Sequence, residues 1–176
     1  MTAAHPSCAL PARSPPVAVT RVTPADNAGV RDLVLGILNH EYAMALTLEE
    51  LPDLVDVHAT YRTSGQGEFW VARTGDRVVG CIGILRLQAA DYELRRMYVD
   101  PRLRGQGLAQ RLLDIALAWA SARGARALYL ETNERWTAAH RIYERNGFLP
   151  IARGQLPPAF PVVRVATGFY RRALEP

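Results

Sequence analysis

The sequence predicts an α/β domain built on a sheet of mixed strand direction, flanked by helices. Two observations carry this. Strand-like runs at Phe69–Arg73 and Val78–Leu87 flank Thr74-Gly75-Asp76-Arg77, a hairpin turn by composition, and a third run, Tyr92–Val99, follows. From there strand and helix patterns alternate: a strand, a two-glycine turn, a long apolar helix, a short strand and another helix. Hairpins make antiparallel pairs, whereas a strand–helix–strand unit brings a parallel one.

The elements can be justified in order. Val17 to Val22 alternates enough for a first strand. Thr23 is placed to cap a helix with Pro24 at its first position. In that helix Val30, Leu33, Val34, Ile37 and Leu38 recur at helical spacing, and Asn39-His40-Glu41-Tyr42 lies at or past its end. Thr47 to Tyr61 reads as a second, weaker helical segment interrupted by Pro52. After the glycine turn, Leu108, Leu112, Ile115 and Trp119 form a stripe that Leu113, Ala116 and Leu117 widen; Arg123-Gly124 ends it. Ala127 to Leu130 is a short buried-type strand, and Thr137 to Arg145 a helix stopped by Asn146-Gly147. Phe148–Ile151 and Val163–Tyr170 read as closing strands around a proline-rich loop, Leu156–Pro161.

Composition bounds the function. The 176 residues are one domain's worth, and 49% hydrophobic with 22% charged residues is ordinary for a globular protein. Residues 1–16 carry four prolines and no apolar core of a secretory signal, so they read as a poorly ordered tail before a domain spanning 17–176. No stretch approaches the roughly 18 apolar residues that span a bilayer. A net charge of +4 suits a polyanionic small molecule. No basic run with interleaved aromatics is present, so neither nucleic acid nor membrane is the expected partner. The two cysteines, Cys8 and Cys81, fall in a tail and a strand, which argues against a disulfide framework and fits a reducing cytoplasm. No metal-ligand pattern is expected to operate here.

The most informative stretch is Arg102-Leu103-Arg104-Gly105-Gln106-Gly107-Leu108-Ala109. A strand, a tight turn with two glycines and a helix start together build an anion site. The first N–H groups of a helix lack intrahelical partners, its dipole favours negative charge, and glycine lets a phosphate approach the backbone. Arg102 and Arg104 add positive charge. A Walker loop is excluded because Leu108-Ala109 follow Gly107, and a dinucleotide fingerprint is excluded because position 110 is Gln110.

What surrounds the loop resembles the GNAT superfamily of acetyl-coenzyme A-dependent N-acetyltransferases. Arg102 to Gly107 matches that family's R/Q-x-x-G-x-G/A loop, and Met97-Tyr98-Val99-Asp100-Pro101 looks like its fourth strand. Leu130-Glu131-Thr132, then Ala138 to Phe148 with Tyr143-Glu144-Arg145-Asn146-Gly147-Phe148, looks like its fifth strand and following helix. The match covers roughly residues 68 to 148. The resemblance implies a largely antiparallel sheet splayed between strands 4 and 5, with pantetheine in the gap. It implies backbone contacts from Met97, Tyr98 and Val99, and a pyrophosphate held by Arg102, Arg104, Gly105, Gln106, Gly107, Leu108 and Ala109. Many relatives carry an asparagine where this chain has Trp136; Asn133 is the candidate substitute.

Acetyl transfer to an amine needs a base, an oxyanion donor and an acid for the departing thiolate. The resemblance puts Tyr143 near the coenzyme A sulfur as the acid. It makes Glu93 the leading base, with Glu131 second and Glu41 third; the alternative for Glu93 is a strand carboxylate paired with Arg95 or Arg73. A backbone N–H within Met97–Val99 is the expected donor. Arg95, Arg96, Trp70, Tyr42 and the Leu156–Pro161 loop are candidates for the acceptor pocket. Cys81 reads as a buried apolar residue. The expected reaction is direct acetylation of a primary amine on a small molecule or peptide, with acetyl-coenzyme A as co-substrate and a homodimer compatible with the fold. A non-catalytic acyl-coenzyme A sensor would retain the same coenzyme motifs.

Overall fold

In the computed structural model, which describes residues 16–174, seven strands form one sheet: β1 (Ala18–Arg21), β2 (Gly67–Thr74), β3 (Arg77–Gln88), β4 (Asp91–Val99), β5 (Ala127–Thr132), β6 (Leu149–Ile151) and β7 (Gly168–Ala173). Their spatial order is β1-β2-β3-β4-β5-β7-β6. Neighbours are antiparallel except β4 and β5, whose parallel pairing spans only Asp91↔Ala127 to Glu93↔Tyr129. Beyond Glu93 the two strands part, and the sheet is split as the resemblance implies. Of the expected tail, residues 1–16, all but Pro16 lie outside the described residues.

Helix α1 (Asn27–Leu35) covers one face of the sheet. Pro24–Asp26 forms a short 3-10 turn ahead of it, in which the Asp26 carboxylate accepts from both the Thr23 N–H and hydroxyl at 2.7 Å. Past Leu35 the helix widens through Gly36–Glu41. Val30 and Val34 pack with Phe69, Val71 and Cys81 in a buried cluster on this face. Helix α2 (Leu108–Ser121) covers the other face; its Leu108, Leu112, Leu113, Ala116 and Ala120 meet Ala72, Ile84, Leu94 and Leu128. Helix α3 (Thr137–Arg145) adds Ile142 and Tyr143 to that second cluster.

Three expectations need correction. Thr47–Tyr61 is not one helical segment: Leu51 leaves helical geometry at φ −127° before Pro52, and what remains is a 3-10 turn at Pro52–Leu54 and a wide turn at Ala59–Thr63. The last strand starts at Gly168, not Val163. Val163–Ala166 forms a turn instead, because the Val163 N–H donates to the Glu131 carboxylate and the Val165 carbonyl accepts from Asn133, in place of sheet pairing. Trp70 belongs to the core: it is 5% exposed and meets Trp119 edge-on at 6.0 Å, far from an acceptor role.

β4 carries the irregularity that matters most. Its register against β3 slips between Cys81 and Gly83, and Arg96 has a φ of +52°. This is a β-bulge. Successive side chains of a strand alternate between faces, and a bulge breaks that alternation. Arg95 and Arg96 therefore reach the same side, where both meet Asp53.

Candidate active site

The split between β4 and β5 opens a cleft of about 890 Å³. Leu94 to Val99 form one wall, Glu131, Thr132 and the start of α3 the opposite wall, and Arg104, Gly105 and Gly107 one end. Divergence of the strands leaves one backbone edge of β4 beyond Glu93 with no strand beside it. Extended ligands can pair with such an edge as an added strand does.

The glycine turn has the geometry of an anion cradle. Gly105 and Gly107 have φ of +75° and +80°, a region open chiefly to glycine. Nothing lies within 4 Å of where a Cβ would stand on either residue, so the space above the turn is free. Gly107 caps α2, and the first N–H groups of the helix, from Leu108 and Ala109, lack an acceptor one turn back. The Leu108 side chain points into the core, leaving its amide as the group available to a ligand.

The arginines of the turn are less free than the sequence suggests. Arg102 is bound to the buried Asp100 carboxylate through Nε at 3.1 Å and Nη2 at 3.0 Å, alongside Arg77, and does not line the cleft. Arg104 lines it, but pairs with Glu41 at 2.5 and 2.7 Å and donates to the Val99 carbonyl at 3.0 Å. Arg104 holds the Glu41 carboxyl below its ordinary pKa, which makes Glu41 a poor base. Gln106 is exposed and donates to the Arg102 carbonyl. Asn133 sits outside the cleft lining: its side-chain NH₂ donates to the Val165 carbonyl at 2.7 Å, and its oxygen accepts from the Arg135 N–H. Trp136 does line the cleft, where it meets Tyr42 at a tilt and Tyr98 edge-on, and its indole N–H is buried with no partner among the described residues.

Glu93 and Tyr143 share this cleft. Glu93 is 2% exposed; burial pushes its pKa from 4.5 up to about 8, Arg95 pulls it back, and Glu131 pushes it further up. Glu131 lines the cleft too and is also raised by burial, although the Val163 N–H stabilises its charged form. Tyr143 is 6% exposed and packs against Phe148 and Tyr170. Burial holds its phenol pKa above the ordinary value, so the hydroxyl stays protonated. That hydroxyl makes no hydrogen bond among the described residues, and it is not sealed from the cleft.

Below Glu93 lies a buried ionic cluster. Asp53 accepts from Arg96 at 2.7 and 2.9 Å and from the Tyr61 hydroxyl at 2.8 Å, and these partners lower its pKa to about 2 against the cost of burial. No local pattern in the sequence marks Asp53 for this position. The Leu156–Pro161 loop does not form the acceptor wall; Phe160 is buried against Ala127 and Tyr129, and Val163, Val165 and Ala166 line the cleft instead. Cys81 is fully buried, donates to the Arg96 carbonyl, and its thiol is pushed up to about 12.

Comparison with known proteins decides the family. The model described as the acetyltransferase (GNAT) family matches residues 36–148. The chain belongs to the GNAT acetyltransferase family. An uncharacterized N-acetyltransferase of Escherichia coli (strain K12), YjgM, is 35% identical over 100 residues, 55% of this chain and 59% of that protein. This chain thus covers less than two thirds of that relative's length. A GNAT-family acetyltransferase from Staphylococcus aureus Mu50 superposes with a TM-score of 0.87 at 29% identity, over 91% of this chain and all of that one. The PaiA N-acetyltransferase of Thermoplasma acidophilum, solved with coenzyme A, shares the fold at 15% identity and a TM-score of 0.69, over 90% and 99% of the two chains. Among the described residues, no helix of this GNAT chain is long and apolar enough to cross a membrane.

Proposed function

We propose that the protein is an N-acetyltransferase that moves an acetyl group from acetyl-coenzyme A to a primary amine by direct attack. One observation carries the reading: a single cleft holds a free strand edge, an anion cradle, a buried carboxyl with raised proton affinity and an unbonded phenol. Acetyl-coenzyme A, when bound, supplies the acetyl group as an activated thioester. The open turn fits its pyrophosphate, held by the amides from Arg104 to Ala109. The edge of β4 at Met97, Tyr98 and Val99 fits its pantetheine arm.

The chain's own groups do the proton work. Glu93 takes a proton from the acceptor ammonium, directly or through a water. A carboxylate with a pKa of about 8 lies nearer an amine's value of about 10.4 than an exposed glutamate does, so the transfer is less uphill. A backbone N–H of Met97–Val99 donates to the carbonyl oxygen as charge gathers there. Tyr143 donates to the departing sulfur, a hydrogen bond that strengthens as negative charge develops and along which the proton passes as the C–S bond breaks; the second proton of the attacking nitrogen restores the phenol. The buried, protonated Cys81 thiol is no rival nucleophile, which supports direct transfer.

Thiol release from acetyl-coenzyme A across an amine panel tests the reading. Release that needs both the protein and an amine is the expected result. Tight acetyl-coenzyme A binding with no amine-dependent release identifies a sensor and overturns it.

A further inference from the structure

The bulge at Arg96 lays two consecutive guanidinium groups beside one carboxylate, and Asp53 serves them unequally. Arg96 takes both oxygens in a fork. Arg95 is left with Asp53 at 3.7 Å through Nη2 and Glu93 at 3.2 Å through Nε. Among the described residues these two loose ion pairs are its only contacts with acidic side chains. Yet the Arg95 side chain is only 13% exposed, and it lines the cleft. A guanidinium has five N–H donors, and burying it without full pairing is costly unless something else occupies them.

We propose that Arg95 anchors a carboxylate on the acceptor, and that the acceptor is a free α-amino acid. This rests on the acetyltransferase reading. The spacing chooses the class. The nitrogen to be acetylated must come within reach of Glu93, and the Glu93 and Arg95 side chains are 3.2 Å apart. An acceptor that carries an ammonium and a carboxylate close together, as an α-amino acid does, can meet both groups at once. A lysine side chain or a polyamine has no anion beside its amine, and a peptide N-terminus has a neutral amide there. A planar carboxylate matches two parallel guanidinium donors. A dianionic phosphate would bring a second negative charge towards Glu93 and Glu131. Leu46, Leu51, Val163 and Val165 line the same cleft and suit an apolar acceptor side chain.

The test measures thiol release by the full chain from acetyl-coenzyme A, with L-amino acids each paired with its own α-amide and decarboxylated amine. The amino acids are expected to exceed both partners by about 100-fold or more in kcat/KM, as for a site built to bond a group the analogue lacks. Arg95→Gln is expected to shrink that ratio at least about tenfold, mainly through KM for the acid, and Arg95→Lys to recover part of it. Acetyl-coenzyme A affinity serves as the check that each variant is folded. A wild-type protein that uses an amide or amine as well as its acid overturns the proposal and leaves the acetyltransferase reading standing. An Arg95→Gln protein that loses acid and amide activity in equal measure overturns the anchoring role. No release with any member of the panel overturns both.

Discussion

Replacing Glu93 with Gln should change how stability depends on pH, in a direction that the structure dictates. The carboxyl is 2% exposed, and burial raises its pKa from 4.5 to about 8. Between those two values the folded protein keeps a proton that the unfolded chain has released. Stability that is fully present below pH 4.5 is therefore lost as pH rises towards 8, and the loss levels off above it. The separation between 4.5 and about 8, at ~1.4 kcal/mol per pH unit, comes to the order of 5 kcal/mol. Coupling to the similarly raised Glu131 makes this an upper figure. Gln keeps the shape of the side chain and carries no charge, so the variant lacks this slope. Near pH 5 the two proteins should melt together. Near pH 8.5 the variant should be more stable by several kcal/mol, or about 10 °C in Tm for a chain of this size. Urea melts of both proteins at half-unit steps from pH 5 to 9 make the measurement, and slopes shared by other groups cancel in the difference. A difference that stays constant across that range would refute the argument that burial raises this carboxyl.

The same carboxyl must be ionised to act as a base, so kcat/KM should climb as pH rises through about 8, and Glu93→Gln should lose that limb. Tyr143→Phe should lower kcat by about 10- to 100-fold, the value of one hydrogen bond to a developing charge, with acetyl-coenzyme A affinity little changed; isothermal titration beside steady-state kinetics separates the two. Gly107→Ala places a Cβ in open space at a φ of +80°, so it should cost about 1–2 kcal/mol in a urea melt and weaken acetyl-coenzyme A binding by obstructing the cradle. Asp53→Ala leaves the Arg96 guanidinium buried without its carboxylate and should destabilise by about 3–5 kcal/mol; adding Arg96→Met should recover part of the loss.

The parts legible in the sequence were those whose signals are local. The two-glycine turn lies between a strand and a helix within a few residues, and its positive φ values and open space follow from glycine itself. The stripe of α2 needs only its own periodicity. Asp53 was not legible because its bond to Arg96 spans 43 residues and depends on a bulge that no residue type announces. Val163 to Val165 looks like a strand because valine favours one, yet Glu131 and Asn133 capture its backbone groups and turn it into cleft wall. Trp70 was a candidate for the acceptor pocket, but it lies in the core, edge-on to Trp119, a contact that no local pattern announces. The pairing of Arg102 was not read from the sequence, although its carboxylate partner, Asp100, is only two residues away and takes the guanidinium.

The claim on which everything else depends is that the split between β4 and β5 is where donor and acceptor meet. A crystal structure of the protein with acetyl-coenzyme A tests it most directly. The account predicts the pyrophosphate on the amides of Arg104 to Ala109, pantetheine along Met97–Val99, and sulfur within hydrogen-bond reach of the Tyr143 hydroxyl, with the acetyl group facing Glu93. A coenzyme seated elsewhere, or a sulfur remote from Tyr143 and an acetyl group turned away from Glu93, would contradict it.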